Sequence, residues 1–173
     1  MYHMILESSL MLLTFSGAAA IMDLKCGIIP NPLTVSAAVC GLATGLMTGG
    51  PRGLLFSAAG LILPLLLLSP LYLAGMMGAG DIKLLASAGS FLGPGLILRG
   101  IFWSLLFGGA LSVFLMIRRN NFYSRFHHLF EYICTFARTG EAAPYLDDVG
   151  EDGRMCFALP VFLAMAALAA GLV

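Results

Sequence analysis

The sequence predicts an all-α integral membrane protein with six transmembrane helices. Of its 173 residues, 60% are hydrophobic and only 10% are charged, and the mean hydropathy is +0.96. A soluble domain carries about 25% charged residues, so this composition excludes an ordinary water-exposed surface. Several uncharged apolar stretches approach the roughly 20 residues that cross a bilayer. We expect one membrane-embedded domain over residues 1–173.

The first three predicted spans are separated by segments rich in glycine and proline. The first span runs from Ser8 to Met22, and it is followed by a loop with one glycine and two prolines over 23–32. No lysine or arginine precedes this span, so we expect a retained helix and not a signal peptide. The second span covers about 33–47 and the third 54–73, with a turn at 48–53 between them.

The other three spans flank the only long polar stretch. The fourth is predicted over 82–98, interrupted at 93–95 and ended by Arg99-Gly100, and the fifth over 101–117. A sixth, over 155–173, closes the chain. Between the fifth and sixth spans, phenylalanines recur at helical spacing among charged residues. That pattern predicts a cytoplasmic loop, 118–154, with an amphipathic helix on the membrane surface.

Lysines and arginines predict the orientation. Seven of the nine lie on one side of the six-span layout: Lys25, Lys83, Arg118, Arg119, Arg125, Arg138 and Arg154. Only Arg52 and Arg99 fall on the other side. An excess of basic residues marks the cytoplasmic side. We therefore expect a multi-pass protein of the cell (inner) membrane with both termini outside the cytoplasm.

A glycine-rich turn, Gly78-Ala79-Gly80-Asp81, leads directly into the fourth span. Asp81 is the only acidic residue between Asp23 and Glu131. A charged carboxylate at the edge of the hydrocarbon region loses part of its hydration, which costs free energy. Such a residue in a membrane protein therefore indicates a functional role. The glycines allow a tight turn and a close approach of another segment.

Asp23 ends the first span and Asp81 begins the fourth, and the topology places both on the cytoplasmic face. Two neighbouring carboxylates can hydrolyse a peptide, because one takes a proton from water while the other donates one to the carbonyl oxygen. Such a pair shares a proton and titrates as a unit. The positive helix end favours ionised Asp81 as the base, and the negative end favours protonated Asp23 as the acid.

These residues resemble the type IV prepilin peptidase family of membrane aspartic proteases, particularly its short members associated with tight-adherence pilus systems. The first matching stretch is Asp23-Leu24-Lys25 followed by Pro30-Asn31. The second is long and specific: Met77-Gly78-Ala79-Gly80-Asp81-Ile82-Lys83-Leu84-Leu85-Ala86. The resemblance continues over 89–94, and the six-span layout covers the whole chain.

The resemblance implies that Asp23 and Asp81 are catalytic. It also implies an endopeptidase that cleaves the basic leader of prepilin-like precursors at the cytoplasmic membrane surface, with no metal or other cofactor. Longer relatives also methylate the new amino terminus and often carry Cys-x-x-Cys motifs in an insertion. None of the four cysteines here forms such a motif, so the resemblance implies a peptidase without a methyltransferase.

Other residues near the aspartates form a predicted active-site loop: Lys25, Pro30, Asn31, Gly78, Gly80 and Lys83. The two lysines either act on the carboxylates or substrate, or anchor the helices by reaching to the membrane surface. Pro30 and Asn31 are expected to shape the loop. The expected partners are the precursor and the lipid bilayer. No basic run predicts nucleic-acid binding, and the oligomeric state stays open.

Two other classes remain open from the residues alone. Presenilin-type intramembrane proteases also use Gly-x-Gly-Asp, but they are longer, and a tyrosine precedes their first aspartate where this chain has Met22. The string Ala158-Leu159-Pro160 is similar to their proline–alanine–leucine element, although it is short. A non-enzymatic transporter or pilus-assembly protein is the third class. A proton-coupled transporter would place its carboxylates inside spans and not at their ends.

Overall fold

The computed structural model describes residues 2–118 and 156–172, and all regular structure within these two ranges is helical. The four helices are α1 (Tyr2–Cys26), α2 (Asn31–Leu73), α3 (Ala79–Arg118) and α4 (Ala158–Ala169). The amphipathic helix predicted between the fifth and sixth spans lies outside the described residues. The all-α class is confirmed for the described part of the chain.

Helix α2 is a hairpin of two arms, 31–49 and 51–73. Gly50 has φ 59° and ψ −145°, a conformation open to glycine but strained for other residues. In one straight helix, residues eight positions apart would be separated by about 12 Å. A Cβ atom on Gly53 would instead overlap the carbonyl oxygen of Gly45. The chain therefore reverses at the predicted glycine–proline turn.

Helix α3 reverses in the same way at Gly93, where φ is 74° and ψ is 175°. A Cβ atom on Gly89 would lie 3.2 Å from Ile97 Cγ1, eight residues along the chain. The prediction that the fourth span continues to Arg99-Gly100 was therefore wrong. Gly93 supplies the left-handed conformation and Pro94 suits the first turn of the next arm.

Gly100 lies inside the second arm of α3 and does not end a helix. A Cβ atom on Gly100 would come 2.8 Å from Met165 Cε of α4, so this glycine makes room for a neighbouring helix. The glycine at position 100 is therefore explained by helix packing and not by a turn. The described residues consequently contain six helical segments: 2–26, 31–49, 51–73, 79–92, 94–118 and 158–169.

Small residues let α2 and α3 approach closely. A Cβ atom on Gly41 would overlap the Ser90 side chain, and one on Gly60 would overlap the carbonyl oxygen of Gly89. Small residues commonly mark close helix contacts in membranes, where apolar surface is not driven together by water. Ser90 is fully buried, and its hydroxyl donates to the carbonyl oxygen of Ser87 at 2.7 Å. The two hairpins thus form one closely packed block.

Helix α4 packs against both α1 and α3. The Phe162 ring lies against Gly17 of α1, and the Phe157 ring lies against Gly108 of α3. Four apolar residues of α4 have no exposed surface: Ala158, Val161, Ala164 and Met165. Docking of α4 therefore connects the first helix to the second arm of α3.

The outer surface is apolar. Large hydrophobic side chains are exposed on all four helices, and the most exposed include Met47, Leu55, Leu66, Leu73 and Ile117. Such extensive exposure is unusual for a soluble monomer. Helix α2 and the ranges Ser8–Cys26 and Ala79–Leu115 are long and apolar enough to cross a membrane, whereas α4 is shorter. These features support the predicted membrane protein.

Candidate active site

Asp23 lies in the last turn of α1. The helix ends at Cys26, and Gly27 follows in the left-handed conformation with φ 64°. The Gly27 N–H donates to the carbonyl oxygen of Asp23 at 2.8 Å, as expected for a glycine that terminates a helix. The Asp23 side chain is only 8% exposed. The local sequence therefore ends the helix immediately after a buried carboxylate.

The start of α4 contacts Asp23 directly. The backbone N–H of Ala158 donates to Asp23 Oδ2 at 3.2 Å in a buried hydrogen bond. The Cys156 thiol donates to the Asp23 carbonyl oxygen at 3.5 Å. Sequence reasoning missed the hydrogen bond between Ala158 and Asp23, because the two residues are 135 positions apart and the donor is a backbone N–H. The short Ala158-Leu159-Pro160 string was the only available signal.

Asp81 lies in the first turn of α3 and is half-buried. Before it, α2 ends at Leu73 and Gly75 follows in the left-handed conformation, while the Met76 N–H donates back to the Leu71 carbonyl oxygen at 2.9 Å. The Asp81 carboxylate has a backbone hydrogen bond with Gly78. A Cβ atom on Gly78 would come within 3.2 Å of Asp81 Oδ2, so the glycine leaves space for the carboxylate.

The structure brings the two predicted aspartates to one site. Their carboxylates are near enough for the charge of Asp23 to act on Asp81. Both also act on the Cys156 thiol at the start of α4. Burial raises the pKa of this thiol, and the charges of Asp23 and then Asp81 raise it further. Within the described residues, no three His, Cys, Asp or Glu side chains are grouped so that they could hold a metal ion.

Four residues of the predicted active-site loop also lie together. Ile29 is buried against Gly80, and a Cβ atom on Gly80 would lie 3.4 Å from Ile29 Cβ. Pro30 directly precedes α2, which begins at Asn31. The Lys83 ammonium donates to Asn31 Oδ1 at 2.9 Å. The segment between α1 and α2 therefore packs against the start of α3.

The two lysines that follow the aspartates have different surroundings. Lys83 is exposed but hydrogen-bonded to Asn31, which lies 52 positions earlier. Lys25 is exposed in the last turn of α1 and makes no ion pair within the part of the chain that the structure describes. Asn31 and Lys83 thus form a specific contact, whereas the role of Lys25 as an anchor at the membrane surface stays a prediction.

A model of the type IV leader peptidase family matches residues 10–113, which is more than half of the chain and includes both aspartates. The chain belongs to the type IV leader peptidase family. The resemblance carried by the two aspartate motifs is thereby confirmed, and membership of this family indicates a protease. Helix α4 lies outside the matched range. No curated protein and no solved structure matches the chain.

Proposed function

We propose that this family member is a membrane aspartic endopeptidase that removes the N-terminal leader of prepilin-like precursors, with Asp23 and Asp81 as the catalytic pair. The observation that carries the proposal is the approach of these two carboxylates in a family of leader peptidases. They come from different helices, and no other described acidic side chain accompanies them. Such a pair has the functional groups that water-mediated peptide hydrolysis needs.

The reaction requires one carboxylate without a proton and one with a proton. The first takes a proton from water as the water oxygen attacks the scissile carbonyl carbon, and the second gives its proton to the carbonyl oxygen. The C–N bond then breaks, the leaving amine takes a proton from the first group, and the second group recovers its proton from the intermediate. Both carboxyl groups return to their starting states. Mutual repulsion at short range helps to keep one proton on the pair.

The six helical segments are proposed to be six membrane spans, with the aspartates on the cytoplasmic side. The Lys83–Asn31 hydrogen bond joins the start of α2, which follows the end of α1 by five residues, to the start of α3. The basic residues of that end support a cytoplasmic location by the positive-inside rule, while Arg52 lies beside the reversal of α2 at Gly50. In this orientation the pair faces the cytoplasmic membrane surface, where the basic leader of a precursor is joined to its apolar segment.

The test is cleavage of a co-expressed prepilin in cells that carry the wild-type protein, Asp23→Asn or Asp81→Asn. Each substitution preserves side-chain size and removes the carboxyl group, and we expect cleavage to fall about 100- to 10,000-fold. Glu7→Gln is the matched control, because it removes a carboxylate from the opposite end of α1. Protease accessibility of the membrane-inserted proteins checks that insertion is unchanged.

Each outcome bears on a different part of the proposal. Loss of cleavage in both aspartate variants, with Glu7→Gln active, supports the pair. Persistent cleavage in either variant would remove that residue from the mechanism. A wild-type protein that cleaves none of a panel of prepilins would contradict the substrate class while leaving membership of the family intact.

A further inference from the structure

Helix α4 has no side-chain cap of its own. The first N–H groups of a helix have no partner within the helix, and an Asp, Asn, Ser or Thr side chain usually accepts from one of them. Phe157 occupies the N-cap position of α4 and supplies no such bond. Asp23 of α1 takes this role, because its Oδ2 accepts the Ala158 N–H at 3.2 Å. The proposed catalytic carboxylate is therefore also the cap of another helix.

We propose that the first turn of α4 is a positioning element of the aspartate pair, in which the Ala158 N–H holds Asp23 Oδ2 and leaves Oδ1 as the oxygen that exchanges a proton. This inference rests on the proposed function. The N–H can donate to Oδ2 only while that oxygen carries no proton directed at it. A fixed donor also restricts rotation of the carboxylate, so Oδ1 keeps one direction.

The surroundings of the contact support a positioning role. Ala158 has no exposed surface, and Asp23 is 8% exposed, so water does not readily replace the donor. The Phe157 and Phe162 rings hold α4 against α3 and α1 on either side of this turn. Pro160 has no N–H group, which removes one further donor that would otherwise need a partner. The turn thus presents a backbone donor to Asp23 from a firmly packed helix.

A backbone ester tests the donor without changing a side chain. Lactic acid incorporated at position 158 in place of alanine replaces the N–H with oxygen and keeps the methyl group. Lactic acid at position 164 is the matched control, since Ala164 is also fully buried on α4 but lies away from Asp23 in the chain. The kcat and KM of leader cleavage are then measured for both proteins and for the wild type.

We expect the ester at 158 to lower kcat by about 10- to 100-fold with little change in KM, because a hydrogen bond to a charged group is lost. The ester at 164 should keep the wild-type kcat and KM. Equal kcat values for the two esters would overturn the proposal.

A second measurement does not depend on cleavage. With Cys26, Cys40 and Cys134 replaced by serine, the pH dependence of Cys156 alkylation reports the pKa of that thiol. Burial and the charges of Asp23 and Asp81 raise this pKa, so Asp23→Asn should lower it and Glu7→Gln should not. An unchanged Cys156 profile in Asp23→Asn would mean that α4 does not begin beside Asp23, and the proposal would be wrong.

The two measurements separate failure of this inference from failure of the proposed function. If Asp23→Asn shifts the Cys156 profile but the wild-type protein cleaves no prepilin, the contact exists and the proposed function is at fault. Cleavage could instead require both aspartates while the ester at 158 leaves kcat unchanged and Asp23→Asn leaves the Cys156 alkylation profile unchanged. In that case the protein is a peptidase in which α4 does not position Asp23.

Discussion

Asp23 and Asp81 are the same residue type at opposite kinds of helix end. Asp23 is buried in the last turn of α1, and its carboxylate is held by a backbone N–H that lies 135 positions away. Asp81 is half-buried in the first turn of α3, and its carboxylate interacts with Gly78, three residues earlier. One carboxylate is thus placed by tertiary packing and the other by its local turn.

This difference indicates an order of assembly. The glycine-rich turn can orient Asp81 as soon as the first turn of α3 forms, because its contacts are local. Asp23 receives its donor only after α4 has docked against α1 and α3. The α2 and α3 hairpins can therefore form before the pair is complete. Variants at the two aspartates should differ in their tolerance of small geometric changes.

The largest expected difference between the two aspartates comes from lengthening each side chain by one methylene. Asp23→Glu should lower kcat by about 100-fold or more, since the enclosed carboxylate must keep its contact with Ala158. Asp81→Glu should lower it by about 10-fold, because a half-buried side chain has more room to adjust. Single-turnover cleavage of a purified prepilin measures both effects. A greater loss in Asp81→Glu would reverse the comparison.

A smaller effect is expected from adding a methyl group to the turn before Asp81. In Gly78→Ala the new Cβ atom would lie 3.2 Å from Asp81 Oδ2, so the carboxylate must shift by a few tenths of an ångström. We expect kcat to fall about 10-fold, since small displacements of reacting groups are costly. Kinetics of leader cleavage, with membrane insertion checked in parallel, give the value.

Gly80→Ala is the matched variant in the same turn. Its Cβ atom would lie 3.4 Å from Ile29 Cβ, which is close to ordinary van der Waals contact, so we expect a change of less than about 2-fold. Gly95→Ala controls for helix propensity in α3, because no described atom beyond its chain neighbours and the nearby helix backbone lies within 4 Å of its Cβ position. Equal losses of kcat in Gly78→Ala and Gly80→Ala would show that any added methyl group in this turn lowers activity. The contact between position 78 and Asp81 would then not explain the effect.

The smallest effect concerns the hydrogen bond that joins the regions of the two aspartates. Asn31→Ala and Lys83→Met should each lower kcat/KM a few-fold, and the double variant should be little worse than either single one. The coupling free energy of such an exposed contact should be about 0.5–1 kcal/mol. A double-mutant cycle on cleavage kinetics measures it.

Lys25→Met supplies the comparison for that cycle. Lys25 is exposed at the same end of the molecule but has no ion pair within the described residues. Its cycle with Asn31→Ala should therefore show no coupling. Strict additivity between Asn31 and Lys83 would contradict a direct role of their hydrogen bond in joining the start of α2 to the start of α3.

Much of the fold could be predicted from the sequence because its signals are local. Low charge, long apolar stretches and the turn at Gly50 all arise from residues that are adjacent in the chain. The error at Arg99-Gly100 shows the limit of such signals. A glycine that terminates a helix and a glycine that admits a neighbouring side chain look alike in sequence, and only the contact of Gly100 with Met165 distinguishes them.

The assignment of acid and base from helix ends shows the same limit. It considered only the helix that carries each aspartate, so Asp23 was placed at a negative helix end. The structure adds the N-terminus of α4, whose positive end faces the same carboxylate. The assignment stays a prediction, but one of its premises was incomplete, because the field at Asp23 includes a helix that is remote in sequence.

By itself the sequence determined the helical, apolar character of the described residues, the family of the chain, and the two aspartates that are its only acidic residues between positions 8 and 130. These properties reside in composition and in short motifs. Only the tertiary structure decided that the start of α4 meets Asp23, that Lys83 binds Asn31, and that α3 reverses at Gly93 and continues through Gly100. Each of these features depends on which helix faces pack together. A backbone N–H or a small residue does not indicate, from the sequence alone, which distant residue it will contact.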